Sequence, residues 1–462
     1  MRFFYGSCGN IFRRSVMVNR SARARRALVM MLSFMFFVGL PAVGGLFVDA
    51  DAWARSGSAT VETEASGQSL STLITHYLTV EDRGRAESLL QAILAHPRAS
   101  LQRVSRFLRA GRNYESAPVG MLPSQPVRVR GKTLSYGLFV PPVYDPEVAS
   151  PLVVCLHGAG FSGDSYLERW ATRLGESHVL ACPTFMAGAW WTRLGEELVL
   201  ATIRNVRAQY RIDPDRIYLT GMSNGGIGAW IIGMHHAPRF AAVAPMASGI
   251  DQVLFPFLEN LRYTSLYVIH GAKDRIMPVW LSRNITNELA RLGIAFTYRE
   301  HEWSHPHAGG HFFPRQELPA LVKWFENQRR DPYPRKLTVV RDASHLTDFG
   351  WVRIDATDRI AMFSEQLIDQ HGDLIKNKVY AKLAVEVRDE NHLEIRTERV
   401  RRYTLFLNDA LVDFSGPVTV VTDGRISFQG PVTPRVETLL RDVRRRGVDG
   451  LFPAQLTIDV LP

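Results

Sequence analysis

The sequence predicts an α/β fold whose core is a mostly parallel β-sheet with helices on both faces. Beyond residue 127, short apolar runs alternate with stretches of helical period. Each run is rich in Val, Ile and Leu throughout, so both faces of each strand should be buried. Alternating strands and helices of this kind build a parallel sheet that helices cover. The runs are LVVCLHG, HVLACPTF, RIYLTG, AAVAPMAS, SLYVIHG and AFTYREHE.

Segments of different period precede and follow this sheet. Between Ser100, a suitable N-cap, and Gly111, apolar residues recur at helical spacing. After residue 335, alternating β-branched segments predict a small C-terminal β-sandwich with one Arg-rich helix near 435–447, whose Arg444-Arg445-Arg446 end should be solvated. The predicted parts are a signal peptide or anchor (1–54), a linker (55–68), a helical segment (69–120), the α/β domain (121–330) and the β-rich domain (335–462).

Composition restricts the class of protein. The chain has 462 residues, which suggests two or three domains. It is 46% hydrophobic and 22% charged, which excludes a disordered or collagen-like chain. Of the net charge of +10, the first 54 residues carry +5, from seven Arg and two Asp. Since the rest has no stripe of Arg and Lys interleaved with aromatics, we do not expect a nucleic-acid partner.

The N-terminal 54 residues have the pattern of an export signal. A basic stretch (13–26) precedes 22 residues without charge (27–48). Small residues then offer cleavage sites after Ala52 or Ala54. We favour cleavage over an uncleaved anchor, which would leave the protein in contact with a membrane. The protein is therefore expected in the periplasm, the extracellular space or the cell envelope, with Cys155 and Cys182 as core residues.

The segment GMSNGG (residues 221–226) follows the strand RIYLTG and precedes a helical stretch. A serine between glycines at a strand-to-helix junction is typical of a nucleophile elbow. The turn has no room for side chains two residues either side of Ser223, which explains Gly221 and Gly225. A glycine-rich loop with a capping serine is the alternative. In the elbow interpretation, Ser223 projects from the carboxyl edge of the sheet.

The sequence His157-Gly158-Ala159-Gly160 follows the strand LVVCL. Glycines there let backbone N–H groups approach a developing oxyanion, and the N–H groups of Ala159 and Asn224 would form the hole. An ordinary strand-to-helix turn is the alternative. We expect His157 to fix the loop and not to act as a catalyst.

Asp274 lies 51 residues after Ser223, directly after the buried strand SLYVIHG. A carboxylate at this place can orient and stabilise a catalytic histidine. A surface aspartate is the alternative.

Four histidines follow, in HEWSHPHAGGH (residues 301–311). The H-E-x-x-H match would be a zinc motif only on a helix, and Pro306 prevents a helix there. A loop that presents a histidine after the last strand is the better interpretation, and it gives the order Ser, Asp, His. Among the three candidates we favour His311, because Gly309-Gly310 permit a sharp turn; His307 and His305 remain alternatives.

Residues 134–328 resemble extracellular polyhydroxybutyrate depolymerase-like and feruloyl-esterase-like α/β-hydrolases, and the broader phospholipase/carboxylesterase and prolyl-oligopeptidase-type set. The resemblance implies the α/β-hydrolase fold, a serine esterase or related hydrolase without a cofactor, and a triad of Ser223, Asp274 and His311. The motifs that carry it are FVPPVYD, LVVCLHGAG, RIDPDRIYLTGMSNGG, YVIHGAKDRIMPV and GGHFFPRQELPALVKWF.

These features predict an exported serine hydrolase, with a carboxylic ester as the first choice of substrate. A serine peptidase and a non-catalytic polymer-binding protein are the alternatives. Trp190 and Trp191 follow the strand HVLACPTF at the edge where substrates bind, so they could stack on a substrate or pack under a loop. The expected substrate is a small-molecule or polymer ester.

Overall fold

The computed structural model describes residues 68–111, 114–174, 177–341, 348–360, 375–389 and 391–461. The predicted signal segment and all but the last residue of the predicted linker lie outside these ranges. Contacts divide the chain into two compact units, Met1–Leu73 and Ile74–Pro462. The described part of the first unit is the start of one helix, and both sheet regions lie in the second. None of the helices described is long and apolar enough to cross a membrane.

The second unit contains an eight-stranded sheet with the order β1-β2-β4-β3-β5-β6-β7-β8. The first two strands pair antiparallel with each other, and β2 pairs antiparallel with β4. From β4 to β8 all pairs are parallel. The strands are β1 (Gly120–Val129), β2 (Lys132–Val140), β3 (Ser150–Leu156), β4 (Val179–Thr184), β5 (Ile212–Met222), β6 (Ala242–Met246), β7 (Ser265–Gly271) and β8 (Thr297–His301).

Helices precede the sheet, cover it and recur near the C-terminus. Ser100 caps α3 by accepting from the Arg103 N–H, and Gly111 ends this helix with φ of 72°, as the sequence predicts. The helices are α1 (Leu70–Thr79), α2 (Arg83–Ala95), α3 (Leu101–Ala110), α4 (Gly163–Leu174), α5 (Arg193–Gln209), α6 (Asn224–His235), α7 (Trp280–Arg291), α8 (Leu318–Glu326) and α9 (Val436–Arg446).

Both faces of β3 are buried, by helices from opposite sides. Val153 and Cys155 point into the apolar cluster that α4 and α8 form. Because side chains alternate along a strand, Leu156 points to the opposite face. There a side chain at Gly228 of α6 would contact Leu156. The layered α/β architecture predicted from the continuous apolar runs is confirmed.

The strand order places a crevice at the carboxyl ends of β3 and β5. After β3, the chain moves to one side to form β4 and then to the other to form β5. The loops that leave β3 and β5 therefore diverge, and the gap between them is where an open α/β sheet binds ligands. The loop at residues 157–162 and the turn at Ser223 lie at this gap.

The C-terminal region consists of two further sheets, as predicted. They have the orders β10-β11-β14-β17 and β16-β15-β13-β12-β9. The sheets meet at a buried hydrogen bond of 2.6 Å between the hydroxyls of Tyr403 and Thr422. The strands are β9 (Lys336–Arg341), β10 (Asp348–Phe349), β11 (Val352–Thr357), β12 (Ala381–Val387), β13 (His392–Glu398), β14 (Val400–Leu407), β15 (Val418–Thr422), β16 (Arg425–Gly430) and β17 (Ala454–Asp459).

This C-terminal region contacts the amino edge of the large sheet. Arg330 pairs with Asp215 near the start of β5, at 2.7 Å, and also donates to the Asp449 carbonyl. Asn260, which precedes β7, exchanges hydrogen bonds with the backbone of Val340. Asp215 and Ser223 are eight positions apart along mostly extended chain, so the Arg330–Asp215 contact lies roughly 25 Å from the serine.

The Arg444-Arg445-Arg446 end of α9 is only partly solvated: Arg445 is exposed, as predicted, whereas Arg444 and Arg446 are half-buried. The Arg446 guanidinium lies 4.0 Å from the centre of the Phe406 ring and pairs with Asp442 at 2.6 Å. It also donates to the Gly350 carbonyl, and 12% of its side chain is exposed. A planar guanidinium can stack on aromatic rings and still satisfy its donors, which a charge pattern in the sequence does not reveal.

Candidate active site

The turn between β5 and α6 holds Ser223 in a strained conformation. Its φ of 58° is unusual for a residue with a side chain. The Ser223 N–H donates to the Met246 carbonyl of β6 at 3.1 Å, and its carbonyl accepts from the Ile227 N–H at 2.9 Å. The turn is so close to its surroundings that a Cβ at Gly221 would lie 2.3 Å from the Gly225 carbonyl oxygen. This is the geometry of a nucleophile elbow.

The loop after β3 lies directly beside this serine. A Cβ at Gly158 would be 3.5 Å from the Cβ of Ser223. The Gly158 N–H donates to the Tyr166 hydroxyl at 3.1 Å, so this N–H is not available to an oxyanion. The next residue, Ala159, is exposed. Asn224 begins α6, so its N–H is one of the first four that have no acceptor within the helix.

His157 fixes this loop and is not placed to act as a base. Its Nε2 accepts from the Phe185 N–H at 3.0 Å, so Nδ1 carries the proton and donates to the Gly158 carbonyl at 2.9 Å. Burial lowers the pKa of His157, which keeps the ring neutral. Both nitrogens are therefore committed to the backbone.

Trp190 lies under the loop and not on its open side. Its side chain is fully buried, and its Nε1–H donates to the His157 carbonyl at 2.9 Å. The packing alternative therefore describes Trp190, since a side chain without exposed surface cannot stack on a substrate. Trp191 is partly exposed.

Asp274 lies in the loop between β7 and α7, with no exposed side-chain surface. Its Oδ2 accepts from the Nδ1–H of His311 at 2.8 Å. Its Oδ1 accepts from the backbone N–H groups of Ile276 and Met277, both at 2.8 Å. Burial alone would raise the pKa of Asp274, but hydrogen bonds from His270 and His311 lower it well below the ordinary range. The carboxylate is therefore ionised.

His311 is the histidine of its segment that reaches this carboxylate. It is buried, in the loop between β8 and α8, whereas His307 is exposed. His305 pairs with Gly309 through two backbone hydrogen bonds of 2.7 and 2.9 Å, which turn the chain toward Asp274. With Nδ1 of His311 occupied by Asp274, Nε2 is the nitrogen left for a proton transfer. His301 ends β8, so His301 and His305 do not share a helical face.

Ser223, Asp274 and His311 follow β5, β7 and β8 in turn, and Asp274 is hydrogen-bonded to His311. The chain has the α/β-hydrolase fold. This confirms the fold that the sequence predicts, with the elbow at Ser223 next to the crevice between β3 and β5.

No protein-family model and no curated protein matches the chain. Solved structures resemble it over 46% of its length. A thermostable esterase is 27% identical, with a TM-score of 0.39, and the chain spans 63% of its length. An S-formylglutathione hydrolase from Staphylococcus aureus is 13% identical, is covered completely and has a TM-score of 0.37. An acylaminoacyl peptidase from Pyrococcus horikoshii is 13% identical, is covered over 43% and has a TM-score of 0.37.

Two side chains at the site do not follow from motif reasoning. Tyr166 accepts the hydrogen bond of the Gly158 N–H, and His270 lies beside Asp274, with its Nε2 3.2 Å from Oδ2. The sequence offers a signal for the second: a histidine in the otherwise apolar strand SLYVIHG, four residues before the aspartate. A polar residue in a buried strand needs a partner, and the nearest candidate is that carboxylate.

Proposed function

We propose that the protein is a serine hydrolase that cleaves carboxylic esters. The observation that carries this proposal is the hydrogen bond between His311 Nδ1 and the buried, ionised Asp274, in a fold whose elbow presents Ser223. This arrangement leaves one imidazole nitrogen to act as a base while the other is held in the required tautomer.

The reaction proceeds in two halves. The Ser223 hydroxyl attacks the acyl carbon, and its proton passes to Nε2 of His311. The N–H groups of Ala159 and Asn224 stabilise the negative oxygen of the tetrahedral intermediate. The alcohol leaves with the proton from His311, and Ser223 remains acylated. Water then attacks the acyl group with His311 again as base, which restores Ser223 and releases the acid.

Exposed apolar side chains near the site support an apolar ester over a charged substrate. Ile276 and Trp280 follow Asp274, and Trp303 follows β8; between 42% and 52% of each residue is exposed. The ion pair of 3.1 Å between Lys273 and Glu302 joins the loop after β7 to the loop after β8. An apolar surface beside a catalytic centre gains free energy when a substrate covers it.

The proposal is tested with a series of p-nitrophenyl esters beside a series of dipeptide amides. We expect turnover of the esters, labelling of Ser223 by a fluorophosphonate, and loss of both in Ser223→Ala. Faster turnover of the amides would make the protein a peptidase. If the native protein neither turns over a substrate nor is labelled, it is not a serine hydrolase.

We also propose that the protein is exported, on the basis of the basic and apolar segments in residues 1–54. N-terminal sequencing of material from the cell envelope and medium should find a start at Trp53 or Arg55. An intact Met1 in the membrane fraction would show an anchor instead.

A further inference from the structure

His270 ends β7 next to the aspartate, and its side chain has no exposed surface. Its Nε2 lies 3.2 Å from Oδ2 of Asp274 and 2.8 Å from the carbonyl oxygen of Met277. Both oxygens can only accept, since the carboxylate is ionised. A nitrogen that faces two acceptors must carry a hydrogen, so Nε2 of His270 is protonated.

The other ring nitrogen is held by α7. The Ser282 hydroxyl donates to the carbonyl oxygen of Ser248 at 3.0 Å, and the same hydroxyl oxygen lies 2.7 Å from Nδ1 of His270. Ser248 follows β6, so the contact joins β7, the helix α7 and the segment after β6. The imidazole therefore cannot rotate away from Asp274 without losing partners on both sides.

The carboxylate of Asp274 thus has two imidazoles on one oxygen. Oδ2 accepts from Nδ1 of His311 at 2.8 Å and lies 3.2 Å from Nε2 of His270. Oδ1 is occupied by two backbone N–H groups. Each donor on a carboxylate disperses part of its negative charge, and that charge is what stabilises the imidazolium form of the catalytic histidine.

We propose that His270 is a positioning residue of the triad: its Nε2–H holds Asp274 Oδ2 toward His311 and disperses part of the negative charge that His311 faces. The effect on turnover rests on the proposed function, whereas the effect on the titration of His311 does not. A histidine that becomes a stronger base stays protonated to higher pH, and it must be neutral to accept the proton of Ser223.

Other charged groups near this pair come from β8 and α7. Glu300 and His301 of β8 lie beside β7, and His270 is the register partner of Glu300. Glu300 is itself paired with Arg283 of α7. Neither Glu300 nor Arg283 has a hydrogen bond to Asp274 among the described contacts, whereas His270 Nε2 lies 3.2 Å from its Oδ2.

Two amide variants separate the two nitrogens. In His270→Gln the amide N–H can take the place of Nε2–H, and in His270→Asn the shorter amide faces Ser282 and cannot reach Asp274. His178→Gln is the control. His178 is also a buried histidine, but it precedes β4 and so lies at the amino ends of the parallel strands, away from Asp274. The titration of His311 is followed by NMR of histidine labelled with ¹⁵N, with the signal assigned from His311→Gln.

In His270→Asn we expect the midpoint of the His311 titration, and with it the acid limb of kcat/KM for an ester, to move up by about one pH unit. His270→Gln should move it by less than half as much, and His178→Gln not at all. An unchanged midpoint in folded His270→Asn would overturn the inference, as would an equal shift in the control.

A measurement on the native protein keeps the inference testable if the asparagine variant does not fold. The nitrogen shifts of His270 must show a proton on Nε2, and a neutral ring protonated on Nδ1 alone would overturn the proposal. If no ester or amide is hydrolysed, the proposed function fails, and the NMR titration still decides the role of His270.

Discussion

Replacing Gly225 with alanine tests how closely the elbow and the loop after β3 depend on each other. The new Cβ would lie 2.0 Å from the Leu156 carbonyl oxygen and 2.9 Å from that of His157. Real side chains keep at least 3.0 Å from such atoms, so the two backbones must separate by about 1 Å. The backbone that moves carries both N–H groups of the proposed oxyanion hole.

From this displacement we expect kcat/KM for p-nitrophenyl acetate to fall about 100-fold, because displacing catalytic groups by about 1 Å can reduce the rate by this factor. Overpacking should lower the free energy of unfolding by about 1–3 kcal/mol. The higher helix propensity of alanine opposes this loss by up to ~1 kcal/mol. Urea unfolding, followed by circular dichroism, measures the second quantity.

Gly233→Ala is the matched control, since it makes the same change in the same helix. The atoms nearest to a Cβ there are the two methyl groups of Val243, at 3.1 Å, so a shift of a few tenths of an ångström accommodates it. We expect activity close to that of the native protein. If Gly225→Ala and Gly233→Ala have equal kcat/KM, the elbow does not depend on the close contact and the reasoning is refuted.

Three further predictions follow from the site and from the contacts of the C-terminal region. His311→Ala should lower kcat about 1000-fold or more, whereas His305→Ala and His307→Ala should change it little; equal losses in a rate assay would contradict the assignment. Because the folded pKa of Asp274 is lowered, its stabilising effect is present above its unfolded pKa, near 4, and is lost as the pH falls below it. The difference in unfolding free energy between the native protein and Asp274→Asn should therefore shrink in acid, and a difference independent of pH would be evidence against it. Asp449→Asn should lower the free energy of unfolding by about 2 kcal/mol, since Arg207 and Arg239 donate to this carboxylate, and leave kcat/KM unchanged.

The backbone of the site could be predicted from the sequence because its constraints are local. Gly221 and Gly225 surround Ser223 at a spacing that only a tight turn requires, and the turn must follow a strand. Pro306 excludes a helix whatever the tertiary structure, so the histidine had to come from a loop. Such constraints act within a few residues of each other and are visible in a single sequence.

Whether an individual side chain is exposed or buried could not be predicted in the same way. Trp190 follows a strand end where substrates bind, and its position in the sequence fits both an exposed and a buried ring. The structure buries it because the His157 carbonyl, 33 residues earlier in the chain, accepts its Nε1–H. The cluster around Arg446 likewise depends on Phe406 and Phe452, which come from a strand and a loop. Contacts at this separation are set by the packing of whole elements.

The contact between Asp274 and His311 joins residues 37 positions apart, but the sequence carries a signal for it. A Cβ at Gly271 would lie 2.1 Å from the Gly310 carbonyl oxygen, and one at Gly309 would lie 1.9 Å from that of Lys273. The loop after β7 and the loop after β8 therefore touch backbone to backbone, which only glycine allows. This contact fixes the distance between the backbones of Asp274 and His311, whatever rotamers their side chains adopt. Glycines placed before a candidate acid and a candidate base thus indicate, within the sequence itself, that the two loops meet.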